Sequence, residues 1–290
     1  MEVAQLTPEI NNHLGNKSKS FKFKYFIDKE ESSEIYIFGD IFVQNNKDKC
    51  HLIINGNDCE LRAKYKFKEK GEQTITLIID QEIINYSKMF IHEKSFMDKM
   101  FSNDVNNYYK NNNLIDVSSL ENLDTSNCID LSYMFCGCYK IKNFNFLLNW
   151  NVSNCKYFNC MFKDCSFSDV NFLSKWNIIN AIKLSSMFRN CRNLKDIEGI
   201  KNWNVKNVVY FRRMFSHCIN ITDVNALQNW NMNNAKDISF MFFYCENLVN
   251  MDSLYKWNLS EKVDETNIVN GCGKLYNVPS NIKSSSCSIY

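Results

Sequence analysis

The chain has 290 residues, and 34 Lys and Arg against 32 Asp and Glu give a net charge of +2. That balance argues against a dedicated nucleic-acid binder, which depends on clustered excess cations, and 45% hydrophobic with 14% aromatic residues exclude a disordered chain. With 2 prolines and 8 glycines the collagen-like and flexible-linker classes are excluded too, while 43 asparagines stand out as the compositional excess.

Residues 1–19 read as a polar tail, without the basic and apolar regions of a secretory signal. No stretch approaches the roughly 18 apolar residues of a membrane span, so an intracellular location is the default expectation. Residues 20–80 alternate apolar and polar side chains: Phe21 to Phe26, Glu34 to Phe38, His51 to Ile54, Leu61 to Phe67 and Thr74 to Ile79. Period-2 alternation predicts about five strands with one buried face, hence a small antiparallel β domain. Asn55-Gly56 marks a hairpin, because both central residues of such a turn need positive φ.

Residues 81–275 repeat. Trp150, Trp176, Trp203, Trp230 and Trp257 are spaced by 26, 27, 27 and 27 residues. Met-Phe pairs from Met134-Phe135 to Met241-Phe242 keep the step, as do Cys138, Cys165, Cys191, Cys218, Cys245 and Cys272. Three ladders in one register define a tandem array. Within the Trp203 unit, Val208, Phe211, Met214, Phe215 and Cys218 fit one face of a short helix, with Asn207 at its N-cap; Asn127, Asn154, Asn180 and Asn234 repeat that position. Ile221 to Val224 reads as a short strand. The predicted fold is an α/β solenoid of 26–27-residue units whose strands stack in parallel, with the cysteines as a buried space-filling column. An insertion near 97–119 interrupts the first unit, 258–275 is a degenerate cap, and 276–290 is a polar tail.

The string from Trp150-Asn151-Val152-Ser153-Asn154 to Met161-Phe162-Lys163-Asp164-Cys165, with its repeats, resembles the BspA-like leucine-rich repeats over residues 83–275. The resemblance implies a leucine-rich-repeat-like solenoid with a binding or adhesive role, and it admits a cell or virion surface as the location.

No phosphate loop, dinucleotide fingerprint or zinc-protease motif is present. His217 beside Cys218 is a poor dyad, since Cys218 belongs to the buried ladder. Cys136, Cys138, Cys155, Cys160 and Cys165 lack the spacing of a zinc site. The terminal Cys287-Ser288-Ile289-Tyr290 fits a prenylation box poorly. The expectation is therefore a chain without catalysis, metal or cofactor: a protein-interaction scaffold, with a structural subunit of a large assembly or a surface adhesin as alternatives. Its candidate partner site is the column Asn143, Asp169, Asp196, Asp223 and Asn250, where three stacked carboxylates repel and would favour a basic partner. The second candidate is the patch Arg189, Arg192, Arg212 and Arg213, expected on the outer side of the helical segments and suited to an acidic protein.

Overall fold

The computed structural model describes residues 18–28, 34–91 and 113–282. In chain order these form β1 (Lys19–Ile27), β2 (Ile35–Tyr36), α1 (Asp40–Asn46), β3 (Cys50–Ile54), β4 (Asn57–Glu60), β5 (Lys64–Tyr65), β6 (Gly71–Ile79) and β7 (Leu114–Asp116). After β7 the described residues form only turns, single bridges and short 3-10 segments.

One five-stranded sheet, ordered β4-β3-β6-β1-β7, is antiparallel at every pair. The alternation of β1 builds its two faces: Phe21, Phe23, Tyr25 and Ile27 are buried, and the residues between them are exposed. The β3–β4 hairpin turns through Asn55 (φ 52) and Gly56 (φ 77). The segment Leu61–Phe67 contributes only β5, which pairs with β2 in a separate two-stranded ribbon. Helix α1 has no counterpart in the alternating pattern; it buries Phe42 against Phe38.

This sheet sits on the first coil of the array. Phe90 packs on Phe23 and Phe38, and the Gly39 N–H donates to the Met89 carbonyl at 2.9 Å. A Cβ at Gly39 would collide with the Lys88 carbonyl, so the close approach requires glycine there. Sheet and coils share one continuous hydrophobic core.

The expected parallel-sheet α/β solenoid does not form. The extended sheet is antiparallel, and neighbouring coils meet through isolated parallel bridges such as Tyr157↔Lys183 and Asp223↔Asn250 rather than through strands. Nor is the Val208–Cys218 segment a helix. Met214 N–H bonds to the Phe211 carbonyl and Cys218 N–H to that of Phe215, three residues back, while Arg213 (φ 56) and His217 (φ 62) are left-handed. A three-residue step with positive φ at the third residue is a type II turn and breaks an α-helix. Turns also place an apolar residue inward every three or four residues, which is why the spacing mimics a helical face.

Alternate backbone N–H groups in these turns point along the stack. Phe211, Arg213, Phe215 and His217 donate to Asp237, Ser239, Met241 and Phe243 of the next coil at 2.7–3.0 Å. Side chains reach the other way. The indole N–H of Trp150, Trp176, Trp203, Trp230 and Trp257 donates to a carbonyl of the preceding coil at 2.8–3.3 Å. The expected N-cap residues Asn154, Asn180, Asn207 and Asn234 instead donate their amides to the preceding coil at 2.7–2.8 Å. At the far end Asn281 donates to Leu254, the carbonyl that a further indole would have reached. Between these ladders the Phe column stacks face to face from Phe90 to Phe242, centroids 5.5–6.0 Å apart and planes within 3–22°.

The 26-residue step lies after Cys165, where Asp169 follows the cysteine by four residues rather than the five of Cys191 to Asp196; Phe167 fills the resulting inward position. Most of the expected insertion at 97–119 and most of the 1–19 and 276–290 tails lie outside the described residues, including the terminal Cys287.

Replacing Trp176 by Ala removes a buried indole and its bond to Leu147, and should cost roughly 3–5 kcal/mol. Trp176→Phe keeps most of the packing and loses one hydrogen bond, so about 1–2 kcal/mol is expected. Chemical denaturation of both variants measures the difference.

Candidate functional site

Each coil carries one surface built from its two left-handed turns. Position by position along the stack, the first left-handed residue is Lys88, Tyr133, Cys160, Ser186, Arg213, Phe240 and Asn267. The second, from the Tyr133 coil on, is Gly137, Asp164, Asn190, His217, Tyr244 and Gly271. The residue before the second is Cys136, Lys163, Arg189, Ser216, Phe243 and Asn270. The positions that build the core are nearly constant from coil to coil, whereas these vary, glycine recurring only at Gly137 and Gly271. Side chains such as Tyr133, Arg213, Phe240 and Tyr244 cost roughly 1–2 kcal/mol each in this conformation, and Asp164, Asn190, His217 and Asn267 less, while Gly137 and Gly271 show that glycine serves the turn.

At the N-terminal end of this turn face, Lys163 and Asp164 form a largely buried ion pair at 3.6 Å, and Asn190 Nδ2 donates to Asp164 Oδ1 at 2.5 Å. Burial pushes the Asp164 carboxyl above its ordinary range against the pull of Lys163. In the centre, all four arginines of the predicted patch come together across two coils. Arg189, Arg212 and Arg213 are half-buried, so they lie on the turn face and not on the outer side of a helix. The guanidiniums of Arg212 and Arg213 each lie 4.8 Å from the Phe240 ring centroid, close enough for cation–π attraction. Arg212 donates to Ser239 Oγ at 2.7 Å and Arg192 to Asn190 Oδ1 at 2.8 Å. Burial, then the neighbouring charges of Arg189 and Arg212, lower the Arg213 pKa. At the C-terminal end Phe243 and Tyr244 flank His217, whose ring stacks on Tyr244 at 5.3 Å.

His217 is pushed down to about 4, first by burial and then by Arg189, Arg192 and Arg213. Its Nδ1 lies 2.8 Å from Ser216 Oγ.

The acidic column lies on a different turn, after the cysteine. In Asn143, Asp169, Asp196, Asp223 and Asn250 the side-chain Oδ1 accepts the backbone N–H two residues on, at 2.6–3.1 Å. These are Asx turns, one per coil, that set the entry to the short 3-10 segment. Sequence reading missed the left-handed columns, because no glycine marks them in the central coils; their signal is variability between repeats beside fixed Met-Phe and Cys positions.

The ladder cysteines are thiols whose S–H groups donate back to the preceding coil's Phe carbonyl: Cys165 to Phe135, Cys191 to Phe162, Cys218 to Phe188 and Cys245 to Phe215, at 3.0–3.2 Å. They are structural donors as well as the expected space fillers. Burial raises the pKa of each. Among the described residues no three His, Cys, Asp or Glu side chains are grouped to hold a metal ion. No helix among them is long and apolar enough to cross a membrane.

Fold and surface together define a tandem-repeat protein of turn-built coils, capped by an antiparallel sheet and carrying variable side chains at its left-handed turns, of which Cys136, Cys160, Lys163 and Ser216 are buried and the other side chains at least partly exposed. The chain belongs to the family described as "Mycoplasma protein of unknown function, DUF285", which it matches over residues 60–169, 103–197 and 167–282. Comparison with curated proteins and with solved structures returned no match.

Two predictions test this surface and its support. A small thiol reagent at pH 8 should leave Cys165, Cys191, Cys218 and Cys245 unlabelled in the native protein and label them in denaturant, as read by peptide mass spectrometry; fast native labelling would contradict the buried ladder. His217 is depressed below its unfolded value, so the unfolded chain takes up more protons between the folded value near 4 and about 6.5. Its contribution to stability is present above about pH 6.5 and is lost as pH falls toward 4. His217→Asn, which suits the left-handed turn as Asn190 does, should flatten the stability–pH curve over that window.

Proposed function

We propose that this chain is a non-catalytic binding protein that engages a protein partner through its turn face. The observation that carries the reading is the retention of varied, chemically distinct side chains at left-handed positions in successive coils, where glycine would relieve the backbone. A stacked array fixes the residues that make the stack and frees the rest for recognition. The turn face holds charge, rings and amides in rigid register; in the acidic column one oxygen of each side chain is already committed to its own backbone. The resemblance of the repeat to BspA-like binding and adhesive proteins supports the same class of role.

A photo-crosslinking residue at Ser186, on the turn face, should capture a stoichiometric protein in the native source, whereas one at the exposed Lys175 should not. Capture at Lys175 alone, or equally at both, would place the interface elsewhere.

A further inference from the structure

Resting on that reading, we infer that the arginine patch at the centre of the turn face takes a short acidic segment of the partner, with an apolar or aromatic side chain next to its carboxylates. Four observations lead there.

Arg189, Arg192, Arg212 and Arg213 sit on two adjacent coils and act on one another or on the same neighbour, His217, as like charges. Among the described residues none of the four has a carboxylate within ion-pair distance. Their hydrogen bonds go to neutral groups, Ser239 and Asn190, and the carboxylates that act on them, Asp164 on Arg189, Asp237 on Arg213 and Asp264 on Arg212, do so from beyond ion-pair distance. Three of them are half-buried, so an incoming carboxylate meets them partly desolvated, where charge-assisted bonds are stronger than in open water.

The extent of the patch limits the anion. Asp164 stands one coil before it, and Asp237 and Asp264 stand one and two coils after the Arg212–Arg213 coil. With coils about 4.8 Å apart, the positive stretch spans roughly 10 Å. A continuous phosphate backbone would run onto carboxylates at both ends, whereas a few peptide carboxylates fit between them.

The apolar requirement comes from the next coil. Phe240 carries two guanidiniums at its ring, and Phe243 packs edge-on to it at 5.4 Å and to the 43% exposed Tyr244 at 4.6 Å. A ring or aliphatic group following the carboxylates along the stack would land there. Arg with aromatic neighbours is also the composition of energetic centres in protein interfaces.

The test titrates the full chain, by fluorescence anisotropy, with a labelled peptide of four carboxylate residues followed by phenylalanine. The same peptide with its carboxylates as amides, vesicles of phosphatidylcholine with phosphatidylserine, and a single-stranded oligonucleotide are run beside it. The acidic peptide should bind and weaken with added salt, and the amide peptide should not bind. The double variant Arg189→Gln with Arg212→Gln should lose about tenfold in affinity, while Arg189→Lys with Arg212→Lys should lose less. Thermal unfolding confirms that each variant is folded, and the amide peptide tests the inference without altering the fold. Equal binding of the amide peptide, full affinity in the folded Gln variant, or tighter binding of vesicles or oligonucleotide would overturn the inference. If Ser186 crosslinks a partner while the acidic peptide fails to bind, the acidic-segment inference falls and the turn-face reading stands. If capture is confined to Lys175, both fall.

Discussion

A backbone that turns every three or four residues cannot form the long hydrogen-bond runs of a helix or a sheet, so its polar groups must find partners across the coil boundary. That constraint organises the whole repeat region. Backbone N–H groups of the left-handed turns donate forward to the next coil, others, such as that of Val209 to Ile182, donate back, and indole, amide and thiol groups donate back to the preceding coil. A buried carbonyl left without a donor would cost on the order of 1–3 kcal/mol, and the three side-chain ladders repeat the same donation in coil after coil. The constancy of Trp, Asn and Cys between repeats follows directly from this: each is fixed by a hydrogen bond as well as by the space it fills.

The sequence showed this array through its period but not through its local conformation. Trp, Met-Phe and Cys at 26–27-residue steps are enough to place a stack with a buried column. The apolar spacing from Val208 to Cys218 suggested a helix because a run of turns presents inward residues at similar intervals. What separates the two is φ at Arg213 and His217, and side chains that tolerate left-handed geometry only at a cost leave no compositional mark. In the N-terminal region β1 and the Asn55-Gly56 hairpin were legible from alternation and turn chemistry. Helix α1 was not: seven residues are too few to display a period.

The candidate site was legible in part for the same reason. Arg189, Arg192, Arg212 and Arg213 were visible as a cluster, and their proximity across coils follows from the 27-residue step. Phe240, His217 and Tyr244 were not visible as their companions, because membership depends on turn position rather than residue type. The acidic column was equally regular in sequence, yet in the structure each Oδ1 is engaged by its own backbone. Regularity in a repeat protein thus marks scaffold at least as often as surface, and the variable positions beside the regular ones carry the distinctive chemistry.

The short step after Cys165 shows where the array has slack. One residue is missing between that cysteine and Asp169, yet Trp176 still reaches Leu147 at 2.8 Å and Phe162 still stacks on Phe188 at 5.9 Å. The loss is absorbed locally, upstream of the Asx turn, and registers on both sides are untouched. A coil can therefore change length in this segment, while elsewhere a single-residue deletion would slide every donor past its acceptor. Array length is then quantised: genes encoding such chains can gain or lose whole coils, each new unit docking through an unchanged set of back-reaching side chains. Recognition surfaces in a lineage of these proteins would diversify by duplication and exchange of coils, and drift in unit length would be confined to the segment after the cysteine.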